Sequence, residues 1–385
     1  MQHINSTGLS GSSNRWCARV LAGIASLTLV AGLANAETPP ATIRIGAPAI
    51  SGTTQAVMGI PGIARVKGWL DEEFAADGTH FEFPGFKGGA VAVSQVLANQ
   101  QIDFAYSGDL ISIIGHAAGI PTRMILPCGK FENAYLAVRP DSDIQGIESL
   151  RGKKVAYTKG GYIHLQVIRI LAAHGLEERD IQAINLDYPT AAAALASGDI
   201  DAAFGGLETL SLRDRGIARI AYDTRGQDDT LTGQAGILVH ESFAKRYPQT
   251  TARLVKVWVK VARWASDPAN ADEVLRIWAT GNRTVELMRE NYSDRPLKER
   301  LSPLLDPFLT AQYQDTQALA QKLGLLRGQP FAIDAWFDRS YLDQALQQLN
   351  LEGYWQPLPA HDSGALKAAQ NTRNLSEKPM DYRND

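Results

Sequence analysis

Two pairs of adjacent glycines in the middle of the chain stand where short apolar strands are expected to end. Gly160 and Gly161 follow the segment R-G-K-K-V-A-Y-T-K, and Gly205 and Gly206 follow S-G-D-I-D-A-A-F. Glycine lets backbone N–H groups approach a ligand closely, and the first turn of a following helix adds unpaired N–H donors and a partial positive charge. The two pairs therefore predict a site that holds a small anionic molecule through backbone N–H donors, without a reacting side chain.

Hydroxyl groups and further glycines follow the other expected strands. A fully ionised oxyanion only accepts hydrogen bonds, so hydroxyl and backbone N–H donors suit it. Turns are rich in the same residue types, and each residue alone is equally consistent with an ordinary turn. Their recurrence at strand ends in both halves of the chain favours a binding site. The candidates are Ser51, Thr53, Thr54, Gly88, Ser107, Gly108, Gly160, Gly161, Gly205 and Gly206.

Charged residues beside these loops have two open interpretations. Lys87 and Lys159 stand next to the glycines and either attract an anion or, as loop lysines commonly do, point into solvent. Asp109 either caps its own helix or meets an ammonium group of a ligand. Glu208 has the same possible role toward an ammonium group. These four side chains are therefore candidates for the polar ends of a ligand.

Three ring side chains complete the predicted site. Tyr162 and Tyr188 follow glycine or strand ends and could form a wall against an apolar part of the ligand. His164 lies three residues after Gly161, on the expected first turn of a helix. A helix-surface histidine is the default interpretation there, and a ligand contact is the alternative.

Several kinds of chemistry have no support in the sequence. The histidines show neither H-E-x-x-H nor another metal-ligand spacing, and the G-x-S-x-G pattern of serine hydrolases is absent. We therefore expect no catalytic residue, no metal and no cofactor. The chain has 38 basic and 41 acidic side chains and no basic block, which argues against a nucleic-acid partner.

The first 36 residues have the pattern of a cleavable export signal. Arg15 and Arg19 precede an apolar run from Val20 to Leu33, and Ala34-Asn35-Ala36 is a small-residue cleavage site. The run is too short to span a membrane. Cleavage before Glu37 would leave Cys128 as the single cysteine, so no intramolecular disulfide is expected.

Short strands alternate with helices through the first 240 residues, which predicts an α/β fold with parallel strands whose ligands bind beyond the strand ends. A turn-rich segment after Val138 suits a crossing between domains, and the pattern from Glu241 to about Leu349 is helical. The predicted division is a signal at 1–36, a first lobe at 37–138 and 226–350, a second lobe at 139–225, and a disordered tail at 360–385.

Four segments together resemble a known family. They are a strand with a hydroxyl-rich loop, then I-D-F-A-Y-S-G-D, then L-R-G-K-K-V-A-Y-T-K-G, then G-D-I-D-A-A. This order resembles the periplasmic substrate-binding proteins of ABC importers for aliphatic sulfonates, taurine and nitrate, over roughly residues 42–222. The resemblance implies a type II-like two-lobe fold of mixed sheets flanked by helices, with the ligand in a cleft between the lobes. It also implies permease and ATPase partners, a periplasmic location and, we expect, a monomer.

Two departures from the family pattern concern the ligand. The family usually has serine or threonine where Gly161 stands, and a tryptophan, an acidic residue and proline are common where Gly205-Gly206-Leu207-Glu208 stands. A sulfonate, a sulfate ester or a taurine-like molecule all remain open as ligands. The alternative function is an enzyme on the same two-lobe scaffold, against which the export signal and the single Cys128 both argue.

Overall fold

The computed structural model describes residues 37–49 and 59–361. The predicted signal at 1–36, the loop with Ser51, Thr53 and Thr54, and the predicted tail beyond residue 361 lie outside the described residues. From Pro39 onward the described residues belong to one compact unit, which contains two β-sheets.

Eleven strands alternate with helices over the described residues. The strands are β1 Thr42–Pro48, β2 His80–Glu82, β3 Gly85–Phe86, β4 Phe104–Gly108, β5 Thr122–Glu132, β6 Tyr135–Val138, β7 Lys154–Tyr157, β8 Gln182–Asn185, β9 Ala202–Gly205, β10 Arg219–Asp223 and β11 Gly233–His240. The first sheet has the order β2-β1-β4-β11-β5, with β3 also beside β1, and the second has the order β10-β6-β9-β7-β8.

The helices cover both sheets. They are α1 Gly59–Val66, α2 Trp69–Glu73, α3 Gly89–Ala98, α4 Asp109–Ala117, α5 Tyr162–Ala173, α6 Tyr188–Ser197, α7 Glu208–Asp214, α8 Glu241–Arg246, α9 Pro248–Ala265, α10 Ala271–Trp278, α11 Val285–Asn291, α12 Leu297–Arg300, α13 Pro307–Lys322, α14 Ile333–Trp336 and α15 Ser340–Gln348. None of these helices is both long and apolar enough to cross a membrane.

Both sheets are mixed. Strands β1, β2 and β4 are parallel, as are β7, β8 and β9, in agreement with the alternating pattern of the sequence. In the first sheet β11 is antiparallel to both of its neighbours, β4 and β5, and in the second sheet β6 is antiparallel to both β9 and β10. The chain passes between the sheets from β5 to β6 and from β10 to β11. The predicted class, two mixed sheets flanked by helices, is confirmed.

The predicted boundary at residue 138 does not follow the strand pairing. Strand β6, Tyr135–Val138, pairs with β9 and β10 of the second sheet, although its residues were assigned by sequence to the first lobe. An apolar strand of four residues suits either sheet equally, so its sequence alone does not reveal its neighbours. We call Tyr135–Asp223 the second lobe and the other described residues from Pro39 onward the first lobe.

The two crossings between the lobes are tied together by side chains. The hydroxyl of Thr224 donates a hydrogen bond to Oδ1 of Asn133 (3.1 Å) and accepts one from the backbone N–H of Ala134 (3.0 Å). The Asn133 amide in turn donates to the carbonyl of Asn291 (3.0 Å). Both crossings are therefore held to each other and to helix α11 of the first lobe.

Candidate ligand site between the lobes

Two helices begin next to each other, one in each lobe. Gly108 ends β4 and precedes α4 in the first lobe, and Gly161 precedes α5 in the second. A Cβ atom placed on Gly108 would lie 3.2 Å from Cβ of Tyr162, the first residue of α5. The N-termini of both helices therefore lie close to the boundary between the lobes, each with the partial positive charge of a first helical turn.

A small cavity of about 20 Å³ lies in the first lobe near this boundary. That volume holds a water molecule or two but no organic ligand. Its lining combines aromatic, acidic and basic side chains with backbone: Gly59, Tyr106, Cys128, Gly129, Lys130, Glu132, Trp278, Arg283, Met288, Tyr292, Arg300 and Leu301. Gly59 is the first residue that the structure describes after the gap at residues 50–58.

Arg283 of the cavity forms an ion pair with Glu208 of the second lobe. One guanidinium NH2 group contacts Oε1 of the carboxylate, and the side chains are only 12% and 20% exposed. Burial works against the charge of Arg283, but the Glu208 carboxylate outweighs it and leaves the arginine pKa above its ordinary value. Nε of Arg283 is buried without a hydrogen-bond partner among the described residues. Arg283 is thus a charged donor whose partner belongs to the opposite lobe.

A second carboxylate, Glu132, lines the same cavity at the end of β5. Burial raises its pKa, while Arg300 and Arg283 oppose this shift and Glu208 adds to it. Its Oε1 would lie 2.8 Å from a Cβ on Gly129, so the absence of a side chain at Gly129 makes room for the carboxylate.

The other two cations of the cavity are engaged elsewhere. Arg300 donates to Asp294 (2.5 Å) and to the carbonyl of Phe131 (2.5 Å). Lys130 donates to Asp306 (2.8 Å), and both of these side chains are completely buried. Among the cations of the cavity lining, Arg283 is consequently the one that faces a partner across the lobe boundary.

Tyr162 lies against the second glycine pair. A Cβ atom on Gly206 would overlap the Tyr162 hydroxyl, so a residue larger than glycine has no room there while Tyr162 keeps its position. The tyrosine retains 40% of its surface exposed, yet loss of water around its hydroxyl and the nearby Glu208 carboxylate raise its pKa. Gly161, Tyr162, Gly206 and Glu208 therefore meet at the boundary, four of the residues predicted by sequence.

Other predicted residues of the second lobe make contacts within it. The Lys159 ammonium pairs with Glu178 (2.8 Å), and Nδ1 of His164 accepts a hydrogen bond from the Gly160 N–H (3.1 Å). Burial lowers the pKa of His164, whose side chain lies in the interior rather than on the helix surface. The hydroxyl of Tyr188 donates to the Glu208 carbonyl (2.5 Å). Gly205 lies so close to the Thr209 hydroxyl that it has no room for a Cβ. These residues therefore make contacts within the second lobe and do not line the cavity.

In the first lobe, Ser107 and Asp109 face away from the cavity. Tyr106 lines the cavity, whereas Ser107, the next residue of β4, lines a separate small space beneath α3 and α4. Asp109 is buried, where its Oδ2 accepts a hydrogen bond from Thr316 (3.2 Å). Burial raises the pKa of Asp109, and the nearby Arg169 of the second lobe opposes that shift. Lys87 and Gly88 are both exposed.

Sequence reasoning missed the charged and phenolic side chains of the cavity. Arg283 stands in T-G-N-R-T, the loop between α10 and α11, and Glu132 is the last residue of β5. The glycine and asparagine that interrupt a helical pattern are the signal that could have marked the Arg283 loop. Tyr106 was not among the site residues predicted from the sequence.

Comparison with known proteins gives one consistent family. A family model described as NMT1/THI5 like matches residues 74–271. The aliphatic sulfonates-binding protein of Bacillus subtilis (strain 168) is 28% identical over 260 residues, which cover 66% of this chain and 75% of that protein. The taurine-binding periplasmic protein of Escherichia coli (strain K12) is 25% identical over 54% of this chain and 63% of its own length.

Solved structures show the same fold. The periplasmic sulfonate-binding protein SsuA of Methylobacillus flagellatus KT superposes with a TM-score of 0.75 at 28% identity, over 85% of this chain and 100% of that one. The desulfurization enzyme DSZB has a TM-score of 0.66 at 18% identity, over 80% of this chain and 100% of that one. The second likeness extends to the fold alone.

Proposed function

The chain belongs to the NMT1/THI5-like family, and we propose that it is an extracytoplasmic solute-binding protein that captures a small organic anion for an ABC importer. The ligand class is a sulfonate, a sulfate ester or a taurine-like molecule, in line with the names of its relatives. The observation that carries the proposal is Arg283, a largely buried cation at the lobe boundary that pairs with Glu208 of the second lobe and lies near Tyr162, the first residue of α5.

Binding follows from an exchange of partners at Arg283. In the structure Glu208 neutralises the guanidinium, and the cavity is too small for an organic anion. A ligand anion would take the place of the Glu208 carboxylate on Arg283 and receive further N–H donors from the two helix ends. The lobes must part to admit it, and the ligand then stabilises whichever lobe arrangement it binds more tightly. The moving bodies would be the two lobes, with β6 on the second.

A thermal-shift screen of the chain from Glu37 against alkanesulfonates, taurine, sulfate and nitrate first identifies the compounds that bind. Calorimetry then measures the affinity for each of these compounds. Replacing Arg283 by Gln removes the charged donor, and we expect affinity for the best ligand to fall about ten- to a hundredfold. Arg213→Gln is the matched control, because Arg213 also pairs across the lobes, with Glu290 (2.6 Å), but lies outside the cavity lining. Wild-type affinity in Arg283→Gln would contradict the proposed site.

We further propose export and periplasmic function as a monomer that delivers ligand to permease and ATPase subunits. The relatives include a taurine-binding periplasmic protein and a periplasmic sulfonate-binding protein. N-terminal sequencing of the exported chain is expected to begin at Glu37, and light scattering to give the mass of one chain. A membrane-held form that retains Met1 would contradict the export proposal.

The enzyme alternative rests on the shared fold of DSZB. Cys128 lines the cavity, but burial and the nearby Glu132 raise the pKa of its thiol, whereas a nucleophilic cysteine needs a lowered pKa. We therefore propose capture without conversion. Incubation with the best ligand should return it chemically intact, and release of sulfite or another product would instead support the enzyme.

A further inference from the structure

The charges at the lobe boundary do not balance around Arg283. Arg300 is paired with Asp294 and Lys130 with Asp306, so their charges are already compensated. Three charged side chains remain: Arg283 with one positive charge, and Glu208 and Glu132 with one negative charge each. A simple monoanion that occupied Arg283 would add a second negative charge to this excess.

Glu132 differs from Glu208 in lacking a direct partner. Over the described part of the chain, its carboxylate has no hydrogen bond or ion pair, and Arg283 and Arg300 act on it only at longer range. The side chain lines the cavity and lies near the Tyr106 hydroxyl, which would be 3.3 Å from the same Gly129 Cβ position that Glu132 approaches. Glu132 is half-buried at the end of β5 and lines the cavity together with Arg283, so a cationic group of a ligand in the cavity would form a charge-assisted contact with its carboxylate.

We propose that Glu132 recognises a positively charged group of the ligand, so that this site prefers a zwitterion, an ammonium-bearing sulfonate, over a simple alkanesulfonate. The inference rests on the proposed function, because it takes the anionic end of the ligand to bind Arg283. The two ends of such a ligand would contact two side chains of opposite charge. The sulfonate replaces Glu208 on Arg283, and the ammonium group lies against Glu132. Glu132 is then a specificity-determining residue.

Matched probes isolate the ammonium group. Taurine, 2-hydroxyethanesulfonate and propanesulfonate differ chiefly in an ammonium, a hydroxyl or a methyl group at the end opposite the sulfonate. Calorimetry on the chain from Glu37 should give taurine a Kd at least about tenfold lower than either other probe, the lower end of what a charge-assisted hydrogen bond contributes. Equal affinities, or a preference for propanesulfonate, would overturn the inference.

The second arm replaces Glu132 by Gln, which keeps the shape of the side chain and removes its charge. We expect this variant to lose the preference for taurine while keeping or improving its affinity for propanesulfonate. A melting curve verifies folding, and Asp187→Asn is a control for removal of an acid outside the cavity, since Asp187 caps α6 through the Thr190 N–H (2.9 Å). An unchanged taurine preference in Glu132→Gln would also overturn the inference.

The outcomes distinguish failure of the proposed function from failure of the role assigned to Glu132. If no sulfonate binds the wild-type chain, the proposed function fails and the inference fails with it. If all three probes bind with similar affinity and Arg283→Gln weakens all of them, the proposed function stands and the role of Glu132 is rejected. If Glu132→Gln lowers the affinity for all three probes equally, Glu132 acts as a protonated donor to the sulfonate, and the inference is again rejected.

Discussion

Lys130–Asp306 and Arg283–Glu208 are two largely buried ion pairs that line or adjoin the same cavity, but their surroundings differ. Both partners of the first pair belong to the first lobe and are completely buried, and the Asp306 carboxylate also accepts from the Leu309 N–H (3.0 Å) as the cap of α13. The second pair joins two lobes, keeps some exposure and leaves Nε of Arg283 without a partner among the described residues. A pair whose hydrogen-bonding groups are satisfied within one body supports the fold, whereas a pair shared between two bodies is available for exchange with a ligand.

The largest expected effect is on stability, from breaking the intralobe pair. Lys130→Met leaves the Asp306 carboxylate buried without its counter-ion, and we expect it to lower the free energy of unfolding by about 3–5 kcal/mol. Adding Asp306→Asn removes the stranded charge while keeping an oxygen to cap α13, and should recover part of the loss. Urea unfolding of the two variants measures both values. A double variant no more stable than Lys130→Met would show that the charge itself is not the cause.

For the interlobe pair Arg283–Glu208 we expect a gain in ligand affinity, smaller in free energy than the loss of stability at Lys130. Glu208→Gln removes the internal competitor for Arg283, so affinity for taurine and propanesulfonate should both rise by about three- to tenfold, as expected when less binding energy is spent on displacing an existing contact. The Tyr188 hydrogen bond to the Glu208 carbonyl is retained in the variant, which protects the start of α7. Calorimetry distinguishes the outcomes, because a loss of affinity would mean that Glu208 contacts the ligand directly.

The smallest effect concerns a residue that the sequence placed in the site. Ser107→Ala should leave ligand affinity unchanged, because the hydroxyl lies beneath α3 and α4, on the opposite side of β4 from Tyr106. The same calorimetric titration measures this variant beside wild type. Weaker binding in Ser107→Ala would show that β4 presents a different face to the ligand.

Much of the fold could be predicted from local patterns in the sequence. Glycines after apolar strands marked the starts of α4 and α5 correctly, and Gly108 leaves room for the neighbouring Cβ of Tyr162. The fold class, the mixed sheets and the helical second half from Glu241 onward were predictable. The sheet to which Tyr135–Val138 belongs was not, because pairing of a short apolar strand depends on distant partners.

The site was less predictable because its charges come from distant segments. Arg283 and Glu208 are 75 residues apart, and nothing local to either indicates the other. The orientation of β4 determines that Tyr106, and not Ser107, lines the cavity. A strand that is buried on both faces has no alternation of apolar and polar residues, so its sequence does not show which side chains face the cavity. For Lys159 and His164 the sequence left a ligand contact open beside a surface position, and in the structure Glu178 and the Gly160 N–H are their partners.

The enclosed position of Cys128 has a further consequence. A chain that begins at Glu37 carries this thiol alone, it is 2% exposed, and burial raises its pKa, so a thiol reagent meets it only in molecules whose cavity has opened. The rate at which Cys128 is alkylated therefore measures how often the cavity opens, without an added dye or a second cysteine. A ligand bound in the cavity would block access to the thiol, so slower alkylation would report how long the ligand keeps the cavity closed.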